Sequence, residues 1–177
     1  MKLIKRILLV CLAAMLFCVT NIVFAAETNT VDGPIADQRV AKLLREANVK
    51  YLTDQDGDYL VTYSFVTNRT QQVWINSTTS KYGTLEVREI WATAYVSDRP
   101  LSAEVANALL KRSSAIIIGG WSIVKPRNSW AVVFRIKVDA ANQKASSLAS
   151  MVELAAVTAN GVNEELTASS GSNLWSP

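Results

Sequence analysis

The sequence predicts an α+β domain of about 150 residues, a usual size for one hydrophobic core. Two observations lead to this prediction. Apolar residues recur at helical spacing in three separate segments, and between those segments they alternate with polar residues as in strands. The predicted order is helix, three antiparallel strands, helix, two strands, helix. We expect the domain at residues 34–167, with a loose segment at 26–33 before it and a flexible polar tail at 168–177 after it.

The first 25 residues have the pattern of a secretory signal peptide. Lys2, Lys5 and Arg6 precede an apolar run that ends in "VFAAE", which predicts cleavage between Ala25 and Ala26. The run also reaches about 18 residues, the length at which a membrane anchor becomes possible. Polar residues inside the run and small residues before the cleavage point favour cleavage. We therefore expect a periplasmic or secreted protein with no stable membrane span after cleavage.

Loss of the leader changes the composition of the mature chain. Three of the 18 Lys and Arg residues lie in the leader, which leaves 15 of them against 15 Asp and Glu residues and a formal net charge of zero. A neutral chain gives no reason to expect a nucleic-acid partner. Both cysteines, Cys11 and Cys18, also lie in the leader, and the chain has no histidine. The composition therefore excludes disulfides, thiol chemistry, histidine metal sites and Ser-His-Asp triads, and we expect no metal and no cofactor.

The first helix and the first two strands follow from a change of period. Gly33 and Pro34 mark the start of a helix over Ile35–Asn48, since proline is tolerated in a first helical turn. The period then drops to two at Tyr59–Phe65, which predicts a strand with an apolar face. A short polar turn leads into a second strand at Gln72–Ser77.

The third strand, Leu85–Val96, changes its pattern partway along. Its apolar residues first occupy odd positions and later even ones, which predicts a bulge near Arg88 or Glu89. The alternative is that Trp91 and Tyr95 face the same way as Leu85, so that both faces of the strand are partly covered.

The second half of the body contains two more helices and a hairpin. Ser102 is the expected cap of the second helix. The stretches "AIIIGGWSIV" and "SWAVVFRIKVD" predict two strands joined across Lys125–Asn128, and a last helix follows over Leu148–Leu166. Gly119-Gly120 lies within the first of these strands without the Lys-Ser/Thr of a phosphate loop, so we expect a bulge or a close backbone approach there.

The stretch "LTDQDGDYLVTYSF" raises the question of a metal site, because Asp54, Asp56 and Asp58 alternate in front of a strand. A calcium loop of the EF-hand type needs glycine at its sixth position and glutamate at its twelfth. Here Gly57 is fourth, and the sixth and twelfth positions hold tyrosine and phenylalanine. Asp-Gly is also a common turn dipeptide. We expect a turn, with weak cation binding as the alternative.

Three segments resemble the bacterial YbjN family. They are the start of the first strand, "DGDYLVTYSF", the passage "LLKRSSAIIIGGWSIV" and the closing helix "LASMVELAAVTANGVNEEL". The resemblance covers nearly all of the mature chain, and it implies the fold of type III secretion chaperones and a homodimer. Members of that family are often labelled sensory transduction regulators. The leader departs from the pattern, since secretion chaperones work in the cytoplasm.

Alternation along the strands predicts which side chains share the sheet face that points away from the helices. That face mixes apolar and polar side chains. It could remain exposed to solvent, pair with a second copy or bind an extended partner segment. We expect an exported, non-catalytic module that binds protein or peptide through this face. The alternatives are a small-ligand or cation-binding protein and an enzyme that uses carboxylates alone. The candidate contact residues are Leu60, Trp74, Asn76, Val133 and Arg135.

Overall fold

The computed structural model describes residues 35–169. The predicted signal peptide at 1–25, the segment at 26–33 and residues 170–177 of the predicted tail lie outside this range. The described part contains three helices and a six-stranded antiparallel sheet, so the predicted α+β class is confirmed. In chain order its elements are α1 (Gln38–Glu46), β1 (Leu52–Thr53), β2 (Tyr59–Ser64), β3 (Thr70–Tyr82), β4 (Leu85–Ser97), α2 (Ala103–Ala115), β5 (Gly120–Val124), β6 (Trp130–Asp139) and α3 (Ala145–Ser169).

The strands lie in the order β1-β2-β3-β4-β6-β5, with every neighbouring pair antiparallel. Three strands differ from the sequence prediction, namely β1, β3 and β5, of which β5 begins at Gly120 rather than at Ala115. The two-residue strand β1 was not expected, because two residues give no measurable period. Strand β3 runs from Thr70 to Tyr82 rather than over Gln72–Ser77, since its second half is polar on both faces and pairs with β4 regardless.

The helices begin where short polar side chains satisfy free backbone amides. The Asp37 carboxylate accepts a hydrogen bond from the Arg39 amide at 2.9 Å, so α1 begins after Asp37 rather than at Ile35. The Ser102 hydroxyl accepts one from the Val105 amide at 3.3 Å, as predicted. Among residues 35–169, no helix is long and apolar enough to cross a membrane.

The hydrophobic core lies on one side of the sheet. Helix α3 packs against β2, β3, β4 and β6, α1 packs against α3, and α2 packs against β5. The buried positions of α3 recur every three or four residues, as an amphipathic helix on a sheet requires, and many are alanines that let the backbones approach closely. These positions are Leu148, Val152, Ala155, Ala156, Ala159, Val162 and Leu166. The opposite side of the sheet carries no helix in the described part of the chain.

The predicted bulge in the third strand lies elsewhere. The register between β3 and β4 shifts between Ile75 and Thr79, so the extra residues belong to β3 at the level of Glu89. A second shift lies in β4 at Ala94, opposite β6. Along β4 the even-numbered residues from Arg88 to Ala94 are buried on one face, and the apparent change of phase arises because this face includes an arginine.

Gly119 has the close backbone approach that the sequence predicts for the Gly119-Gly120 pair. Its φ is +92°, a conformation that side chains disfavour. A Cβ atom at this position would lie 2.7 Å from the Arg135 carbonyl oxygen and 2.8 Å from the Phe134 ring. Glycine is therefore required where α2 leads into β5.

Candidate functional site on the open sheet face

A row of side chains crosses the sheet on the face that no helix of residues 35–169 covers, which we call the open face. The pairing of strands places Leu60 beside Trp74, Trp74 beside Trp91 and Trp91 beside Arg135. Residues that are directly opposite in antiparallel strands point to the same side of the sheet. The row therefore brings residues of β2, β3, β4 and β6 together at the middle of the open face.

The centre of the row is a stacked pair of indoles. The rings of Trp74 and Trp91 lie nearly parallel, at 17°, with their centroids 5.8 Å apart. The Nε1 atom of Trp91 donates a hydrogen bond to the Asn76 side-chain oxygen at 2.8 Å. Such pairs contribute about 0.5 to 1.5 kcal/mol beyond the burial of their area. Both indoles stay half-buried, so the pair is fixed in orientation and still reaches solvent.

An ion pair lies beside the stacked indoles. The Arg135 guanidinium donates to a Glu89 carboxylate oxygen at 2.7 Å, and both side chains are partly covered. The Nε atom of Arg135 is buried and has no hydrogen-bond partner within residues 35–169. A buried donor without a partner is unusual in folded proteins and costs about 1 to 3 kcal/mol.

The five predicted contact residues share the open face, but they are not equally accessible. Leu60, Trp74, Asn76 and Arg135 are half-buried and lie in or beside the row. Val133 is only 2% exposed, so its predicted accessibility was wrong. Sequence analysis also missed Trp91.

A shallow depression of about 310 Å³ adjoins Trp74 on the open face. The residues that line it are neutral, and they comprise Thr62, Thr70, Gln71, Gln72, Trp74 and Thr93. The Gln71 amide donates to the carbonyl oxygen of Thr93 at 3.0 Å, which fixes one wall. The depression is therefore an uncharged border of the row of side chains.

The acidic stretch in front of β2 forms a turn. One Asp54 carboxylate oxygen accepts hydrogen bonds from the amides of Asp56, at 2.9 Å, and Asp58, at 2.8 Å. Gly57 has φ +79°, which glycine adopts without a steric penalty. Asp58 accepts a bond from the Ser77 amide at 2.6 Å, and its burial nevertheless raises its pKa. Among residues 35–169, no group of three or more Asp, Glu, Cys or His side chains could hold a metal ion.

A buried ion pair ties this turn, β3 and β4 to the start of α1. Arg88 is 1% exposed and donates to an Asp37 carboxylate oxygen at 2.5 Å and to the Ser77 carbonyl oxygen at 2.9 Å. It also donates to the carbonyl oxygen of Asn76. Burial alone would raise the pKa of Asp37, but hydrogen bonds from Arg39 and Arg88 hold it well below its usual range.

Glu86 extends this network at the surface. It accepts hydrogen bonds from Arg39 at 2.7 and 2.9 Å and from the Thr79 hydroxyl at 2.8 Å. These bonds, from Arg39 first and then Thr79, lower the pKa of Glu86 to about 2. The partners of this network come from residues about 50 positions apart, so no local sequence pattern indicated it. The charged groups of this network pair with one another, which indicates a structural role.

No protein-family model matches the chain, and no curated protein matches it. The resemblance to the YbjN family therefore stays a prediction.

Proposed function

We propose that the protein is an exported, non-catalytic module that binds another polypeptide, a second copy included, through the open face. The observation that carries the proposal is the stacked pair Trp74 and Trp91 at the middle of the open face, which no helix covers in the described part of the chain. Aromatic side chains at the centre of a surface are the usual anchors of protein interfaces, where a few residues supply most of the binding energy.

The surroundings of the indole pair support a protein ligand. Leu60 and Arg135 flank the pair, and the neutral depression beside Trp74 offers threonine and glutamine side chains. Protein interfaces usually have residues such as arginine and tryptophan at the centre and polar groups at the rim.

The test compares Trp74→Ala with Ser80→Ala, an exposed residue of the same strand that does not line the depression. Mature wild type and both variants are examined by sedimentation velocity for self-association and by capture from a periplasmic extract. We expect Trp74→Ala to weaken either dimerisation or a specific captured protein about tenfold or more, as loss of an anchor does. Ser80→Ala should change neither.

Thermal melting and far-UV circular dichroism check that the Trp74→Ala variant is folded. If it folds, and neither its association state nor its captured proteins differ from those of wild type, the open face is not the binding surface. A change in sedimentation alone would identify the partner as a second copy.

A further inference from the structure

The outer edge of strand β2 is only half paired. Strand β1 pairs with Tyr59 and Leu60 and then leaves the sheet. Within residues 35–169, no strand lies beside the outer edge of β2 from Val61 to Ser64. An edge strand presents unpaired backbone groups that can pair with another chain, and this stretch has no proline, charge or bulge to prevent it.

The hydrogen bonds of the β2–β3 hairpin show which backbone groups point outward. The Phe65 amide donates to the Arg69 carbonyl oxygen at 2.9 Å, so this pair is hydrogen-bonded across the hairpin. Hydrogen-bonded pairs alternate along antiparallel strands. Tyr63 and Val61 therefore bond toward β3, whereas the amides and carbonyls of Thr62 and Ser64 point away from it. These four groups have the spacing that another extended backbone requires.

A cleft of about 470 Å³ lies along the same edge. Its walls are the Val61–Ser64 edge, the chain between α1 and β1 at Val49 and Lys50, and the first half of α3. Val49 and the buried Val152 give the helix side of the cleft an apolar floor. The cleft therefore offers backbone pairing on one wall and an apolar contact on another.

Two charged residues line the cleft, Lys50 and Glu153, and the carboxylate of Glu153 favours a basic side chain in the occupant. Glu153 lies on the helix wall, is exposed and accepts a hydrogen bond from the Tyr63 hydroxyl at 3.3 Å. In the part of the chain that the structure describes, no ion pair involves Glu153 or Lys50. A cation placed between two apolar residues of an added strand would complement the carboxylate of Glu153.

We infer that the outer edge of β2 binds an extended segment of a partner protein as an added strand. Some side chains of that segment face α3. Those that contact Val49 and Val152 are apolar, and one other is basic and pairs with Glu153. The inference rests on the proposed function in needing a polypeptide partner, but it uses a different surface from the stacked indoles.

The probe is the acetylated and amidated heptapeptide TVTKTVT, whose valines and lysine share one side of a strand. Titration into ¹⁵N-labelled mature protein is followed by amide chemical shifts and hydrogen exchange. We expect shifts centred on Thr62 and Ser64, with slower exchange at both amides. The peptide TVTETVT should bind roughly two- to fivefold more weakly, as expected for loss of an exposed ion pair, and Glu153→Gln should abolish this difference.

Two variants at one position separate backbone pairing from side-chain contact. Thr62→Pro removes an outward amide and leaves the β2–β3 bonds intact, since proline is tolerated on an edge strand whose N–H faces solvent. Thr62→Ala keeps the amide and removes only the side chain. We expect binding to be lost in a folded Thr62→Pro variant and kept in Thr62→Ala.

Absence of shifts at Thr62 and Ser64 at millimolar peptide, or unchanged binding to folded Thr62→Pro, would overturn the inference. Shifts centred on Trp74 would overturn it too, while leaving the proposed function in place. Concentration-dependent shifts at Thr62 and Ser64 without peptide would show that a second copy, not a partner segment, occupies the edge.

Discussion

Replacing Asp37 by alanine should destabilise the domain more than any change at an exposed acid. The substitution leaves the Arg88 guanidinium, 1% exposed, without its only carboxylate partner among the described residues. It also removes the acceptor that caps α1. Breaking a buried ion pair by deleting one partner costs about 3 to 5 kcal/mol, because an uncompensated charge stays buried. Loss of a helix cap costs about 1 kcal/mol.

These two effects share one carboxylate, so they do not simply add, and we expect about 4 kcal/mol in total. For a domain of this size that corresponds to a fall in melting temperature of roughly 10 °C. The assay is urea and thermal unfolding followed by circular dichroism. Asp98→Ala is the matched control, since Asp98 pairs with Arg99 at 3.8 Å with both side chains almost fully exposed, and it should change stability by less than about 0.5 kcal/mol.

The double variant Asp37→Ala, Arg88→Met tests the cause. Because removing both charges leaves no unpaired ion, its destabilisation should fall short of the sum of the single changes by about 2 kcal/mol or more. If Asp37→Ala costs less than about 1 kcal/mol, or if the two substitutions are additive, the buried pair does not stabilise the fold as the geometry indicates.

Three further results are expected. Because the pKa of Glu86 is about 2 when folded and 4.5 ordinarily, its stabilising contribution is complete above pH 4.5 and is lost as the pH falls toward 2, so Glu86→Gln should flatten the acid limb of a stability profile. Gly119→Ala should lower the free energy of unfolding by about 2 kcal/mol or more, because its Cβ would meet the β6 backbone. Gly161→Ala, at a helical position with open space around it, should raise the free energy of unfolding by about 0.5 to 1 kcal/mol. Asp54→Ala should cost about 1 to 2 kcal/mol because two amides lose their acceptor, whereas Asp56→Asn should stay within about 0.5 kcal/mol, and calcium should not alter the difference between the two melting curves.

The sequence predicts those parts of the fold that local periodicity determines. Alternating residues predicted β2, β4 and β6, and the same alternation assigned Leu60, Trp74 and Arg135 to one face, which the strand pairing confirms. Helix caps such as Ser102 are local signals for the same reason.

Features that depend on strand register could not be read from the sequence. Trp91 belongs with Trp74 only because β3 and β4 pair with that alignment, and a shift by one residue would have moved it to the core. Arg88 occupies a buried position on the otherwise apolar face of β4. Its charge is tolerated there because Asp37, from a distant part of the chain, pairs with it.

Helix α3 follows every strand of the described part of the chain, and this order bears on folding. Strand β6 inserts between β4 and β5, so the sheet is joined only after the chain has passed through α2 and β5. The 25 residues of α3 then supply the layer that covers β2, β3, β4 and β6. A nascent chain that still lacks this helix exposes the apolar faces of β2, β3, β4 and β6, although it has already closed their long-range pairing. We therefore expect a chain that stops before Ala145 to lack the packing that stabilises these four strands.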